Sequence, residues 1–212
     1  SFVRLQSGRF VILDSYGFGA ETAAQIAAIT QNGRLVEAVL NLHPFHTLHC
    51  RTIAARFPRA RLYGSRRHHE MVSDLDWQPA TVDSPEVAAL YADDLRFSLP
   101  SGVDFISANP RIHAGSLLCY HPASRNLHVD DTLIVLPHLV RQILRQPPIS
   151  FHPTIADALE DRPDAAQDFR DWVHRLATGW QDVRNVCAAH SGIANMREDG
   201  FSRGLLQALH QV

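Results

Sequence analysis

Lysine is absent. All 20 basic residues are arginine, so neither a Schiff-base lysine nor a P-loop lysine can carry the chemistry. Cysteine is scarce: Cys50, Cys119 and Cys187 are far apart and form no CxxC pair, which fits reduced thiols in a cytoplasm better than a disulfide scaffold. There is no basic excess either. A formal charge of −2 lacks the positive surface that a sequence-independent grip on nucleic acid needs. No apolar run approaches the about 18 residues of a membrane span, and the opening SFVRLQSGRF resembles neither a signal peptide nor a transit sequence. A serine nucleophile elbow, G-x-G-x-x-G and Walker A are missing as well. The expectation is a cytoplasmic protein acting on a small molecule, without nucleic acid or membrane.

The 212 residues are 45% apolar and 20% charged, ordinary values for a folded chain and enough for one domain over 1–212. Strands are expected at Phe2–Gln6 and Arg9–Asp14, a helix at Glu21–Gln31 stopped by Asn32-Gly33, and a buried strand at Leu35–Leu42. A helix over Thr47–Phe57 and a strand at Arg61–Gly64 follow. Further strands are expected at Leu95–Leu99, Val103–Ser107, Arg111–His121 and Leu127–Asp130, then a helix at Leu133–Arg145 containing Pro137. Asp164–Trp180 is the longest amphipathic helix, with Phe169, Trp172, Val173, Leu176 and Trp180 on one face. Val183–Ala189 reads as a strand and Phe201–Val212 as a closing helix. Strands and helices interleave in two blocks, so the fold class is layered α/β.

Histidine, at 13 residues, outnumbers glycine at 11, and its position is informative. The best ligand candidates stand at the C-terminal ends of expected strands, the edge where α/β folds bind ligands. LNLHPFHTLHC places His43, His46 and His49 three apart. With Pro44 in the first helical position, His43 becomes an N-cap, and His46 and His49 share a helical face close enough to share an ion. A histidine-rich surface turn is the alternative. In RIHAGSLLCYHPASRNLHVDDTL, His113 precedes an apolar strand and Asp131 ends the paired one. A metal ligand and a helix N-cap are both open for Asp131. His121 and His128 read as turn and strand surface residues. His190 ends the strand in NVCAAHSGIA; a lone loop histidine there also fits a structural role.

Taken in order, these segments resemble the metallo-β-lactamase fold superfamily over nearly the whole chain. GRFVILDSYGFG is similar to its early strand, Asp and Gly. AVLNLHPFH is similar to the strand entering its H-x-H-x-D-H motif, HAGSLLCYHPASRNLHVDDTL to its G-H-T-x-G-S and G-D-T-L segments, and VCAAHSG to its late G-H-G. The resemblance implies a four-layer αββα sandwich. It also implies a metal set of His43, His46, His49, His113, Asp131 and His190 converging in one cleft, with Asp131 the bridging, catalytic carboxylate. The departure lies in the first motif. HPFHTLH carries three histidines within seven residues, His46 is one residue out of register, and Thr47 and Leu48 stand where the motif has Asp.

The chemistry implied is hydrolysis of an ester, thioester, lactone or phosphoester by a metal-activated water. One or two divalent ions are expected, zinc first, with iron or manganese suited by the same nitrogen and oxygen donors. One ion should bind more tightly, because the motif carboxylate is missing. Two alternatives are a weakly active or non-catalytic relative with at most one metal, and an iron-dependent redox variant of the fold.

Overall fold

The computed structural model describes residues 1–135 and 148–210. The chain divides into two compact units, Ser1–Asp94 and Leu95–Val212.

In the first unit, β1 (Phe2–Arg4) and β2 (Phe10–Leu13) form the expected hairpin across Ser7-Gly8. Helix α1 (Ala20–Ile29) crosses over to β3 (Val36–Leu40), parallel to β2, and α2 (Cys50–Arg56) crosses over to β4 (Arg61–Tyr63), parallel to β3. The sheet order is β1-β2-β3-β4. All four residues of β2 are buried, as expected of a parallel strand covered on both faces. Ile12, Ile26, Val36, Val39, Ile53, Phe57 and Leu62 form the core. Two short helices follow, α3 (Arg66–Met71) and α4 (Pro85–Leu90), the second capped by the Ser84 hydroxyl.

The second unit holds a five-stranded sheet of order β11-β10-β7-β6-β5. Its strands are β5 (Arg96–Ser98), β6 (Leu118–His121), β7 (Asn126–Val129), β10 (Asn185–Ala188) and β11 (Gly192–Asn195). A separate ribbon pairs β8 (Leu133–Val135) with β9 (Ile149–Phe151). Helix α5 (Ala165–Gly179) buries Phe169, Trp172, Val173 and Leu176 while Arg170 and Arg175 face solvent, as its periodicity predicts. Each such side chain contributes about 2 kcal/mol by leaving water. Helix α6 (Gly200–Leu209) adds Phe201 and Leu205 to the same core.

The sequence-based expectations fail locally for identifiable reasons. Val103–Ser107 is not a strand; Val103 makes only an isolated bridge to Leu159. The strand expected over Arg111–His121 is confined to Leu118–His121, because the Arg111 and Ile112 amides turn back to Asn109 and Gly115 runs too close to another backbone for a ladder. A Cβ on Gly115 would stand 2.5 Å from the Asp104 carbonyl oxygen. Leu133–Val135 is a strand and not a helix start; its Leu-Ile-Val run suits either structure, and pairing with β9 decides it. The rest of that expected helix, 136–145, lies outside the described residues. His128 is buried, not superficial, because β7 is flanked by β6 and β10.

Candidate metal centre

In the first unit the candidate residues gather where β2 and β3 end. Asp14 follows β2 with a left-handed backbone, φ 61°, which turns its carboxylate back towards β3. Its Oδ1 accepts the amides of Leu42 at 2.8 Å and His43 at 3.4 Å. Asn41 completes the brace. Its Oδ1 accepts the Ser15 hydroxyl at 2.7 Å, and its Nδ2 donates to the Tyr63 carbonyl at 3.1 Å. His43 is therefore fixed at the strand end and fully buried, its ring stacked on His46 at 4.1 Å between centroids. Donor atoms of His43 and His46 lie within 4.8 Å of one another, as do those of His46 and Asp14.

The expected helix does not begin at Pro44. Residues 44–49 form short turns, and α2 begins at Cys50 with His49 as N-cap, so His46 and His49 share no helical face. The His46 amide bonds to the His43 carbonyl and the Thr47 amide to that of Phe45. The Phe45 amide bonds to His43 Nδ1 at 3.1 Å. A side chain that takes a backbone donor competes with the helical ladder. The His49 ring packs over Gly17 and beside Tyr16. Leu48, in the place of the motif Asp, is 83% exposed.

In the second unit His113, Asp131 and His190 come together. Asp131 is buried, with Oδ2 3.7 Å from His113 Nε2 and Oδ1 3.5 Å from His190 Nε2. It caps no helix, since β8 follows it. Its neighbour Thr132 is tied to the His113 segment. Thr132 Oγ1 accepts the Ser116 amide at 2.9 Å and donates to the Ala114 carbonyl at 2.9 Å.

A divalent cation fits this set on chemical grounds. His113 Nδ1 lies 3.0 Å from the Pro110 carbonyl oxygen, which can only accept, so Nδ1 carries a proton and, in the neutral ring, Nε2 turns a lone pair towards Asp131. Metal-binding histidines are commonly held this way, the far nitrogen donating to a carbonyl. The contacts of 3.5 and 3.7 Å exceed an N–H···O hydrogen bond. They approach the about 3.4 Å between two ligand atoms each about 2.1 Å from one tetrahedral ion. One carboxylate oxygen of Asp131 faces each imidazole.

Two residues of interest were not singled out as ligands in the sequence. Asp14 is one, signalled only by its place at a strand end. His152 is the other: its ring lies 6.3 Å from that of His113, and its amide bonds to the Thr132 carbonyl at 3.3 Å. The pattern that could have found it is a strand ending in His-Pro, which occurs at His43-Pro44, His121-Pro122 and His152-Pro153.

No protein-family model matches the sequence, and no curated protein matches it. Solved structures do. A metallo-β-lactamase from Erythrobacter litoralis, crystallised with β-mercaptoethanol in its active site, superposes with a TM-score of 0.58 at 15% identity, covering 100% of this chain and 84% of that one. DIM-1 metallo-β-lactamase gives 0.56 at 12% identity, covering 100% and 86%. A metallo-β-lactamase from Hirschia baltica gives 0.56 at 12%, covering 98% and 84%. The chain has the metallo-β-lactamase fold. The expected mixed α/β class is present, and the likeness runs through both units. Among the described residues of this metallo-β-lactamase-fold chain, no helix is long and apolar enough to cross a membrane.

Proposed function

We propose that the protein is a metal-dependent hydrolase of small esters, thioesters, lactones or phosphoesters. The observation that carries this reading is Asp131 set between the Nε2 atoms of His113 and His190, with the His113 proton held on Nδ1 by Pro110. These three residues would hold the ion, zinc first, with iron or manganese accepted by the same donors. Such an ion supplies Lewis acidity that polarises the scissile oxygen and brings the pKa of a water molecule to about 7. The protein's own contribution is orientation and proton transfer. The Pro110 carbonyl fixes the His113 ring, and the Thr132–Ser116 network fixes the backbone that carries Asp131. As the water oxygen bonds to the acyl or phosphoryl centre, an Asp131 oxygen accepts its proton, which passes to the leaving group. Three widely separated cysteines with no CxxC pair support a reducing, cytoplasmic setting.

A second reading, a weakly active or non-catalytic relative with at most one metal, is favoured by the outward Leu48 and the absence of a carboxylate within HPFHTLH. Metal analysis of protein purified without added metal, read together with turnover assays, separates the two. The hydrolase reading expects zinc, iron or manganese in stoichiometric amount. It also expects turnover of p-nitrophenyl acetate or bis-p-nitrophenyl phosphate that Asp131→Asn lowers at least about 100-fold. Bound metal with no turnover on ester, thioester, lactone and phosphodiester panels would select the second reading.

A further inference from the structure

We infer that two of the three His-Pro-X segments, His43-Pro44-Phe45 and His152-Pro153-Thr154, hold their histidines as Nε2–H hydrogen-bond donors, so that His43 does not ligate metal through Nε2. The inference rests on the hydrolase reading only for its functional meaning; the proton positions stand on local geometry.

The decisive contact at His43 is the Phe45 amide, 3.1 Å from Nδ1. A backbone amide can only donate. Nδ1 must therefore present its lone pair, and the single proton of the neutral imidazole resides on Nε2. A nitrogen that carries a proton has no lone pair for a cation. At His152 the same turn recurs: the Thr154 amide lies 3.3 Å from Nδ1 and the Thr154 hydroxyl 2.9 Å. His113 shows the opposite arrangement, since its Nδ1 meets a carbonyl oxygen at 3.0 Å.

The sequence accounts for the recurrence. Proline has no amide and a fixed φ, so the first amide after the strand belongs to the residue beyond it. At these two sites the turn directs that amide back at the histidine ring, much as an Asx side chain captures an amide two residues on; at the third His-Pro, His121-Pro122, Nδ1 meets the Ser124 hydroxyl at 2.8 Å. Ring rotation does not readily undo this at His43. The residue is fully buried, stacked on His46 at 4.1 Å and set against the Phe45 ring at 6.0 Å. Turning the imidazole over would present a C–H to the Phe45 amide and leave that donor unsatisfied.

The consequence is a change of role. The first unit offers His46 for metal ligation instead of the His43–His46 pair its motif suggests. His43 offers an N–H suited to an electron-rich oxygen. In the second unit His152 places such an N–H on a ring next to His113. An ester carbonyl or phosphoryl oxygen gains charge as water adds, and oriented N–H donors stabilise that charge.

The test is long-range proton–nitrogen NMR on histidine-labelled wild-type protein, metal-free and then with one and two equivalents of Zn²⁺. In the metal-free spectrum His43 and His152 should show protonated Nε2 and bare Nδ1, and His113 the reverse. On adding zinc, His113 and His190 should shift while His43 and His152 keep their pattern. In parallel, His113→Gln should weaken zinc binding by about 10-fold or more, and His43→Gln by no more than about two-fold. A His43 Nε2 that is bare without metal, or that shifts with zinc as His113 does, would overturn the inference. Should no ring respond to zinc, the hydrolase reading falls, and the metal-free spectrum still decides the proton positions.

Discussion

Replacing Thr132 by valine removes one hydroxyl and should disturb both fold and site. The Thr132 side chain is satisfied in full: its oxygen accepts the Ser116 amide, its proton goes to the Ala114 carbonyl, and the Ser116 hydroxyl lies 2.8 Å away. Ala114, Ser116 and Thr132 are all completely buried. Valine has nearly the same shape, so packing is preserved while the Ser116 amide and the Ala114 carbonyl lose this partner. Each unsatisfied buried group costs about 1–3 kcal/mol, and the two share one site, so a total of about 3 kcal/mol is expected. Thr132→Ser is the control. It keeps the hydroxyl and loses one methyl, for about 1 kcal/mol. Urea unfolding of metal-free protein, followed by tryptophan fluorescence, measures both. Because Asp131 adjoins the network, Thr132→Val should also weaken zinc binding about 10-fold. A valine variant within about 0.5 kcal/mol of wild type, or one more stable than the serine variant, would refute the reasoning.

Leu48→Asp is expected to restore no second metal position, because the side chain is 83% exposed. Zinc stoichiometry should stay at the wild-type value and stability should change by no more than about 0.5 kcal/mol; an added tight equivalent would contradict the placement. For pH, burial of His68 lowers its pKa from 6.5 to about 4, against the opposing pull of the Asp14 carboxylate. Between those values the unfolded chain takes up a proton that the folded ring refuses, so stability falls as pH drops from about 6.5 towards about 4 and is fully present above. The full window corresponds to about 3 kcal/mol. Unfolding midpoints of wild type and His68→Gln should therefore converge by about 2 kcal/mol between pH 7 and 4.5, and a constant difference would contradict the assignment.

The legible parts of the sequence were those where side-chain pattern and backbone agree. Helix α5 follows from its apolar face, and β2 and β3 from their apolar runs between turn residues. The ends of those runs mark Asp14 and His43. His113, Asp131 and His190 were readable because each stands beside a strand or turn with its own signature. What escaped was decided by contacts distant in sequence or by side chains acting on the backbone. The irregular segment through Gly115 passes close to the Asp104 carbonyl, 11 residues away. Leu133–Val135 takes its conformation from Phe151, Ser150 and Ile149 across the ribbon. The turns over 44–49 depend on an imidazole taking an amide, an event that helix propensity does not describe.

The same competition limits what a histidine-rich composition implies about metal. An excess of imidazole suggests ligands in proportion to its number, yet what counts is which backbone group each Nδ1 meets. His43 and His152 meet the amide two residues on, and His68 meets the Ser65 amide at 3.1 Å. All three are thereby held with the proton on Nε2. His113 meets a carbonyl and is left with a bare Nε2. A residue three positions before the ring supplies the partner in two of these cases and leads to opposite outcomes, Ser65 with its amide and Pro110 with its carbonyl. Proline at 110 can offer nothing but a carbonyl, so ligand-competent His113 and donor-type His43 each owe their state to a neighbouring proline. At one the proline itself provides the acceptor. At the other it passes the donor role to the residue beyond.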